Sequence, residues 1–431
     1  DRLRSRGLGD VYKRQVYAGG NGCHQWHSKG VYQIPYRCYV TPDLDNLFVG
    51  GRIISSSHVA NGTTRVMCTS ALGGEVIGRA ASICLSKGYK PIDLVDRDRI
   101  GLLQSLLVKN GNFIPGIAVA VEDNLADSAE ISVSSVLELD DLPADGTWFG
   151  LDYPIAQLIP VNGKVPVVRM NVKADNATRL VMELRSSSKS ENYTPDTIDA
   201  VLEFDLKKDE NEIVADFSYS YATPRYAFIC LMKNPEISVP MSGRLVTGLT
   251  AVYNYINPAV SNFGKQVPPE GIGVEEFEFW CPKRRPESKN IAMSFAPPLA
   301  SFNSENLRNS YYRPYIGTNA WVAAFDDARP EVCFKWNGRK QIKTIILYFD
   351  TDTDQAMETV QMGHFDACVP TCYREYIVRD SVGKELYHIT GNHQTLNVLE
   401  LDQPVTTDAI YVNFVRPCGD VCPGLMGVYV C

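Results

Sequence analysis

From Val168 onward, apolar and polar side chains alternate residue by residue. Val168, Met170, Val172 and Ala174 interleave with Arg169, Asn171 and Lys173, and Leu180, Met182 and Leu184 interleave with Arg179, Glu183 and Arg185. An extended chain sends successive side chains to opposite faces, so this period of two predicts half-buried antiparallel strands. Phe217, Tyr219 and Tyr221 continue the pattern, and Ala227-Phe228-Ile229-Cys230-Leu231 reads as a fully buried strand. Together they predict a β-sandwich over residues 125–290. A Pro- and Asn-rich passage from Pro282 to Tyr315 then interrupts the strands. Beyond it, Ile345, Leu347 and Phe349 alternate with Thr344, Ile346 and Tyr348. Tyr376-Ile377-Val378 and Leu386-Tyr387-His388-Ile389 flank the turn Ser381-Val382-Gly383-Lys384, and Ile410, Val412 and Phe414 close the series. A second β-sandwich is expected over residues 291–431.

The first quarter of the chain follows other rules. The segment from Gly22 to Ala81 contains an apolar run, Leu47-Phe48-Val49, that stops at Gly50-Gly51-Arg52. A strand ending in glycines is where backbone approaches a ligand closely. After Ser55-Ser56-Ser57-His58 and Arg65-Val66-Met67, a helix-like stretch repeats Ser70, Gly74, Gly78 and Ala81 at spacings of four, four and three. That spacing lays a stripe of small residues along one helix face. Gly73, Gly74 and Gly78 are each about 1 kcal/mol less favourable than Ala in a helix interior. Close packing of the helix on a sheet would offset that cost. So would a cofactor at the helix N-terminus, where unbonded N–H groups and the positive dipole end favour an electron-rich group. Asp96 to Asn110 reads as a second helix, with Ile100, Leu103, Leu106 and Leu107 on one face and Gly111 as its stop.

Taken in order, these elements resemble the C-terminal cofactor-binding part of the FAD-dependent oxidoreductases, in particular exported flavoproteins related to the flavin subunit of the succinate dehydrogenase and fumarate reductase group. His27-Ser28-Lys29-Gly30 and Ile34-Pro35-Tyr36-Arg37 match that family's lead-in to its final cofactor strand. The resemblance implies FAD as cofactor, with Gly50, Gly51 and Arg52 beside the ribityl chain. It also implies that Thr69, Ser70, Ala71 and Leu72 present backbone N–H groups to the flavin pyrimidine edge. Reduction puts negative charge on that edge, and a helix N-terminus stabilises it. Arg65 would orient substrate or stabilise charge. His24 and His27 would set an imidazole near the substrate as acid or base, or serve as structural loop residues. His58 faces the flavin or bonds the serine-rich loop. The implied activity is hydride transfer between flavin and an organic, carbohydrate-derived substrate.

The Gly-x-Gly-x-x-Gly turn that cradles the FAD pyrophosphate is absent from the 431 residues. Asp10-Val11-Tyr12-Lys13-Arg14-Gln15 back-translates to a transposase end sequence used in sequencing-library preparation. Residues 1–15 are therefore expected to be adapter-derived and are set aside. Residues 16–111 would be the C-terminal remnant of the oxidoreductase domain, inactive as truncated. The expected fold is multidomain: a partial α/β FAD-binding remnant followed by two mainly antiparallel, jelly-roll-like β-sandwiches.

Composition narrows the partners. With 45% hydrophobic residues, 21% charged residues and no low-complexity tract, the chain builds two or three cores rather than a disordered segment. A net charge of −8 without a basic stripe excludes a nucleic-acid partner, and no apolar run approaches the roughly 18 residues of a membrane span. The partner is a small molecule or a glycan, and the relatives imply export.

The C-terminal part resembles the discoidin-like and galactose-binding-like sandwiches appended to such flavoproteins, through Asn306-Leu307-Arg308-Asn309, Arg313-Pro314 and Asn319-Ala320-Trp321. This suggests the alternative function, a carbohydrate-binding or structural module of an exported polysaccharide-processing protein. Glycan contact would fall near Asn309, Arg313, Asn319 and Trp321. For Trp321 and Trp336, core packing is preferred to a sugar platform. Among twelve cysteines, Cys368 and Cys372 form a C-x3-C, as do Cys418 and Cys422. That spacing fits disulfides or thiols better than zinc or iron–sulfur templates, so no metal is expected. Cys230 and Cys333 read as core residues, and His364, His388 and His393 carry no signal.

Overall fold

The computed structural model describes residues 16–17, 20–21, 26, 29, 31–118, 124–189, 194–254, 265–282, 289–351 and 370–431. The chain divides into two compact units, one of residues 1–121 with 256–279 and one of residues 122–255 with 280–431.

In the first unit β1 (Val16–Tyr17) pairs with β2 (Gly20–Asn21), and three helices follow: α1 (His58–Thr64), α2 (Met67–Lys87) and α3 (Arg97–Lys109). Each helix has a local reason to start or stop. Ser57 caps α1 by accepting from the Ala60 N–H at 3.2 Å, and Asp96 caps α3 by accepting from the Asp98 N–H at 2.9 Å. Gly88 ends α2 in the left-handed region at φ 69°. The helices share a core of Tyr36, Tyr39, Val40, Ile54, Ala80, Cys84, Leu94, Leu103 and Leu107. Leu103 and Leu107 are thus buried as their spacing predicts.

Two expectations need correcting. Leu47-Phe48-Val49 is not a strand: Phe48 forms an isolated bridge with Val40, the Val49 N–H donates to the Tyr39 carbonyl at 2.9 Å, and Leu47 is exposed. Among the described residues no second strand continues this pairing, so a ladder does not develop. The small-residue stripe also faces outward. A Cβ on Gly74 or Gly78 would meet nothing within 4 Å, whereas a Cβ on buried Gly73 would stand 2.9 Å from Cε1 of Tyr39. The close approach therefore occurs one residue away, on a face turned by about 100°.

The second unit is built of antiparallel strands, as the alternation predicts. They are β3 (Glu130–Val133), β4 (Leu139–Leu142), β5 (Trp148–Leu151), β6 (Ile155–Val161), β7 (Val167–Ala174), β8 (Thr178–Ser186), β9 (Thr197–Leu206), β10 (Asp209–Ala215), β11 (Arg225–Leu231), β12 (Asn234–Ser242) and β13 (Thr250–Tyr253). The short pair β14 (Lys265–Gln266) and β15 (Phe277–Glu278) belongs to the first unit. The second resumes with β16 (Cys281–Pro282), β17 (Asn290–Ile291), β18 (Met293–Leu299), β19 (Trp321–Val322), β20 (Glu331–Phe349), β21 (Tyr373–Asp380), β22 (Glu385–Ile389), β23 (Leu396–Pro417) and β24 (Gly424–Val430).

One sandwich has a sheet ordered β17-β12-β7-β18-β4, joined by β10 and β5, and a second sheet ordered β16-β13-β6-β11-β8-β9. Val168, Met170, Val172 and Ala174 on β7 are all buried. Gln157, fully buried on β6, ties the two sheets together: its Nε2 donates to Asn290 Oδ1 at 3.0 Å and its Oε1 accepts from the Ile291 N–H at 2.8 Å. The other sandwich is ordered β19-β24-β20-β23-β21-β22 with β3 on β20. The 19-residue β20 and 22-residue β23 pair along most of their length through two register shifts. Such irregularities bend a sheet and increase its twist, so two long strands can serve both layers around one core that includes Trp321, Phe334, Ile345, Tyr376 and Phe414.

The strands do not divide at residues 290 and 291 as the sequence suggests. β3, at the start of the first expected sandwich, pairs with β20 of the second. β17 and β18 pair with β12 and β7 of the first.

Candidate functional site

The candidate site is the beginning of α2. Helix α1 ends at Thr64, the chain passes through Arg65 and Val66, and α2 starts at Met67. The first N–H groups of any α-helix lack intrahelical partners, and the first i to i−4 bond here runs from the Ser70 N–H to the Val66 carbonyl at 2.9 Å. Val66 has no side-chain acceptor to offer as a cap. The outward-directed donors are therefore the amides of Met67, Cys68 and Thr69. The family resemblance implies this group at Thr69, Ser70, Ala71 and Leu72. The helix begins two residues earlier, so of those four only Thr69 falls within the donor turn.

Two threonines precede this turn in the chain, and the Thr64 carbonyl accepts from Ser70 Oγ at 3.2 Å. Thr63 and Thr64 are each 1% exposed. Thr63 Oγ1 is bonded to the Tyr32 hydroxyl at 2.7 Å, but Thr64 Oγ1 has no hydrogen-bond partner among the described residues. A buried hydroxyl left unsatisfied costs about 1–3 kcal/mol, so this one fits a position that receives an acceptor from a ligand. The alternation of residue types did not reveal it. Its only sequence signal is two adjacent threonines ahead of Arg65.

Gly50, Gly51 and Arg52 lie along the same helix. Gly51 has φ 63°, a conformation that glycine tolerates, and a Cβ on Gly50 would stand 3.0 Å from Cδ1 of Ile77. Ile77 is eight residues beyond Thr69, so this turn borders α2 roughly 12 Å along its axis from the donor turn. Arg65 is half-buried and closes α1, its N–H donating to the Asn61 carbonyl at 3.2 Å. His58 is exposed at the start of α1. His24 and His27 lie outside the described residues.

Burial holds the nearby phenols and thiols neutral. It pushes Tyr39 up to about 12, with Cys38 and Tyr32 adding to the effect, and raises Tyr36, whose hydroxyl donates to the Pro91 carbonyl at 2.8 Å. Burial also raises Cys38 and Cys84. Tyr36, Tyr39, Cys38 and Cys84 are therefore neutral groups in this core. The half-buried glycine turn lies further along α2.

In the second unit, Trp321 is fully buried with its Nε1 donating to the Ser135 carbonyl at 2.9 Å, and Trp336 is 3% exposed with its Nε1 donating to the Leu125 carbonyl at 2.7 Å. Both are core residues. The expected glycan contacts at Asn309 and Asn319 are corrected in the same way, because their amides hold the loop. Asn309 Nδ2 donates to Asn319 Oδ1 at 2.8 Å, and Asn319 Nδ2 donates to the carbonyls of Arg313 and Tyr315 at 3.0 and 2.7 Å. The loop so fixed carries left-handed Ser310, Ile316 and Asn319, and presents half-buried Tyr311 and Tyr315 with ring centroids 5.1 Å apart. Among the described residues no group of three or more His, Cys, Asp or Glu could hold a metal ion. No helix among them is long and apolar enough to cross a membrane.

The solved structures with some likeness to this chain match it at low identity and low TM-score. The chitosan-binding module 1 of a chitosanase/glucanase from Paenibacillus sp. IK-5 is 11% identical, with 31% of this chain and 86% of that chain covered and a TM-score of 0.23. The family 32 carbohydrate-binding module of Streptococcus pneumoniae EndoD is 12% identical, with 30% and 86% covered and a TM-score of 0.23. The family 32 module of C. perfringens NanJ, in complex with galactose, is 9% identical, with 30% and 85% covered and a TM-score of 0.22. No curated protein matches this chain. The family model for FAD dependent oxidoreductase matches residues 11–107, beginning inside the leader that the sequence reading sets aside and ending within α3. Over that span, which includes the donor turn of α2, the chain is similar to the FAD dependent oxidoreductases.

Proposed function

We propose that residues 31–118 supply one rim of an FAD site in an oxidoreductase acting on an organic, carbohydrate-derived substrate. The observation that carries this reading is the donor turn of α2, with the orphaned Thr64 hydroxyl ahead of it in the chain, inside the span similar to FAD dependent oxidoreductases. When bound, the flavin supplies the hydride carrier. The amides of Met67, Cys68 and Thr69 and the Thr64 hydroxyl bind its electron-rich edge and stabilise the charge that builds there. The Gly50-Gly51-Arg52 turn leaves backbone exposed to the cofactor, and Arg65 orients the substrate or balances its charge. His24 and His27 remain the acid–base candidates. A relation to the succinate dehydrogenase and fumarate reductase group, and export from the cell, belong to the same proposal.

The test uses the longest natural reading frame that carries these residues. Thr64→Val should lower flavin affinity about tenfold, the effect of one lost hydrogen bond of roughly 1.4 kcal/mol, while leaving the melting temperature of the flavin-free protein unchanged or higher. Unaltered flavin affinity in that variant would remove the basis of the reading.

A second reading concerns the β unit, which we propose binds glycan as a discoidin-like or galactose-binding-like module. The observation that favours it is the Tyr311 and Tyr315 pair on a loop fixed by Asn309 and Asn319. Paired half-exposed rings offer flat apolar faces without further ordering. A glycan array followed by calorimetry is the check, with Tyr311→Ala expected to weaken binding at least several-fold. An array without any hit would leave a structural role for this unit.

A further inference from the structure

We infer that Cys372 and Cys418 are a disulfide pair, a modification site at the end of the second sandwich. Cys372 immediately precedes β21 and Cys418 immediately follows β23. These strands are antiparallel with Tyr373 opposite Pro417. The Cys418 N–H donates to the Cys372 carbonyl at 2.9 Å, which extends the register one residue further and sets the two cysteines opposite one another. Directly opposed residues of an antiparallel pair project to the same face with Cβ atoms about 4.5–5.5 Å apart. The Cα atoms of a hydrogen-bonded antiparallel pair lie about 5.5 Å apart, inside the roughly 4.4–6.8 Å that a disulfide spans, and closure draws the Cβ atoms in to about 3.5–4.5 Å.

Two independent contacts agree that both sulfurs point the same way. Cys372 is part of the core of this sandwich, and Cys418 packs against the same core. Both also meet one residue: Asn392 Nδ2 donates to Cys372 Sγ at 3.4 Å, and Cys418 Sγ donates to the Asn392 carbonyl at 3.9 Å. The backbone around them is held in place. A Cβ on Gly419 would stand 2.5 Å from Cβ of Pro370, so the segments before Cys372 and after Cys418 lie directly against each other. In this structure both residues are thiols.

Closure requires an oxidant, here a small-molecule disulfide such as oxidised glutathione. Cys418 is the more exposed thiol. It loses its proton and attacks one sulfur of the oxidant, releasing one reduced thiol and leaving a mixed disulfide. Cys372 then loses its proton and attacks the Cys418 sulfur, releasing the second. Two protein thiols are oxidised, one small disulfide is reduced to two thiols, and the two protons end on the departing thiolates. The bond ties the chain between residues 372 and 418 into a loop, which restricts the unfolded chain more than the already ordered folded one.

The experiment takes the full chain, reduces it, equilibrates it with oxidised glutathione, alkylates the remaining thiols and maps cross-linked peptides by mass spectrometry without reductant. A Cys372–Cys418 peptide should dominate, and the oxidised protein should melt several degrees above the reduced one. Cys418→Ser should abolish that difference and Cys422→Ser should keep it. Alkylation of both Cys372 and Cys418 after equilibration, or Cys372 joined to any other cysteine, would overturn the inference. Should Cys418→Ser fail to fold, the peptide map of the unaltered chain decides.

Discussion

At Gly73 an added Cβ would stand 2.9 Å from Cε1 of Tyr39, whereas at Gly74 it would meet nothing within 4 Å. Both sit in the interior of α2, so both carry the same intrinsic helix penalty of about 1 kcal/mol against Ala. The surroundings decide which term wins. Gly74→Ala should stabilise the first unit by up to about 1 kcal/mol, because propensity acts unopposed. Gly73→Ala should destabilise it by roughly 1–3 kcal/mol, because the methyl must displace a buried ring. Denaturant melts of the two variants would test this pair, and equal effects would mean that the Tyr39 contact does not govern Gly73. Thr64 is the opposite case. There the side chain is present and its partner is missing, so Thr64→Val is expected to cost the flavin-free protein nothing. Residue types alone do not distinguish Gly73 from Gly74, because the choice depends on which way one helix is rotated, and that is set by Tyr39 more than thirty residues earlier in the chain.

Elements were legible where a local pattern records burial directly. The alternation of Val168, Met170, Val172 and Ala174 is the burial pattern of β7, and Asp96 with Leu103 and Leu107 marks both the start and the inner face of α3. What the pattern cannot encode is the partner. Nothing within Glu130–Val133 says that this strand pairs with residues 332–335, about two hundred residues away. Likewise, core packing is the preferred reading of Trp321, but its partner appears only when Ser135 accepts its N–H, and the first donors of α2 depend on a helix start that no capping side chain announces. The end of β3 is held by Asp327, whose Oδ2 accepts from the hydroxyls of Ser134 and Ser135 at 2.5 and 2.6 Å and whose Oδ1 accepts from the Arg329 N–H at 2.9 Å. Burial pushes this carboxyl up, but the bonds from Ser134, Ser135 and the Arg329 N–H outweigh it and hold it below the ordinary carboxylate range. A depressed folded pKa adds stability that is present above the unfolded value of about 3.9 and is lost as pH falls through the folded value. Stability should therefore decline below about pH 4, and Asp327→Asn should be less stable at pH 7 with a flatter acid limb. Denaturant midpoints taken from pH 7 to pH 3 would show this; parallel curves for the two proteins would contradict it.

At the scale of the whole molecule, the two sandwiches lie in one compact unit of residues 122–255 and 280–431, and their junction is tight enough to couple them. Thr247 Oγ1 donates to Asp350 Oδ2 at 2.9 Å with both side chains buried, joining a loop of the first sandwich to the end of β20 in the second. Beside it Gly248 has φ 80°, and a Cβ there would stand 2.8 Å from Cγ2 of Thr318 and 3.0 Å from the Tyr226 hydroxyl. That hydroxyl donates in turn to the Gly248 carbonyl at 2.9 Å. A Cβ on Gly424 of β24 would stand 3.0 Å from Thr247 Oγ1, so the second sandwich's backbone also lies directly on this loop. With β3 pairing into the second sandwich and β4 to β18 following before β19, the chain crosses the junction before β4 and again after β18, and the second sandwich draws its sheet from two separate segments. Residues 122–431 are therefore expected to unfold in a single calorimetric transition with equal calorimetric and van't Hoff enthalpies. Gly248→Val combines a left-handed backbone that a β-branched residue resists with a clash against Thr318, and should cost at least about 2 kcal/mol. Because the sandwiches are coupled, that loss should lower the melting of Trp280 in the first sandwich and of Trp321 in the second by the same amount, read by fluorescence of variants that keep each tryptophan in turn. Two resolved transitions, or a Gly248→Val variant that moves only one tryptophan signal, would show the sandwiches to be independent.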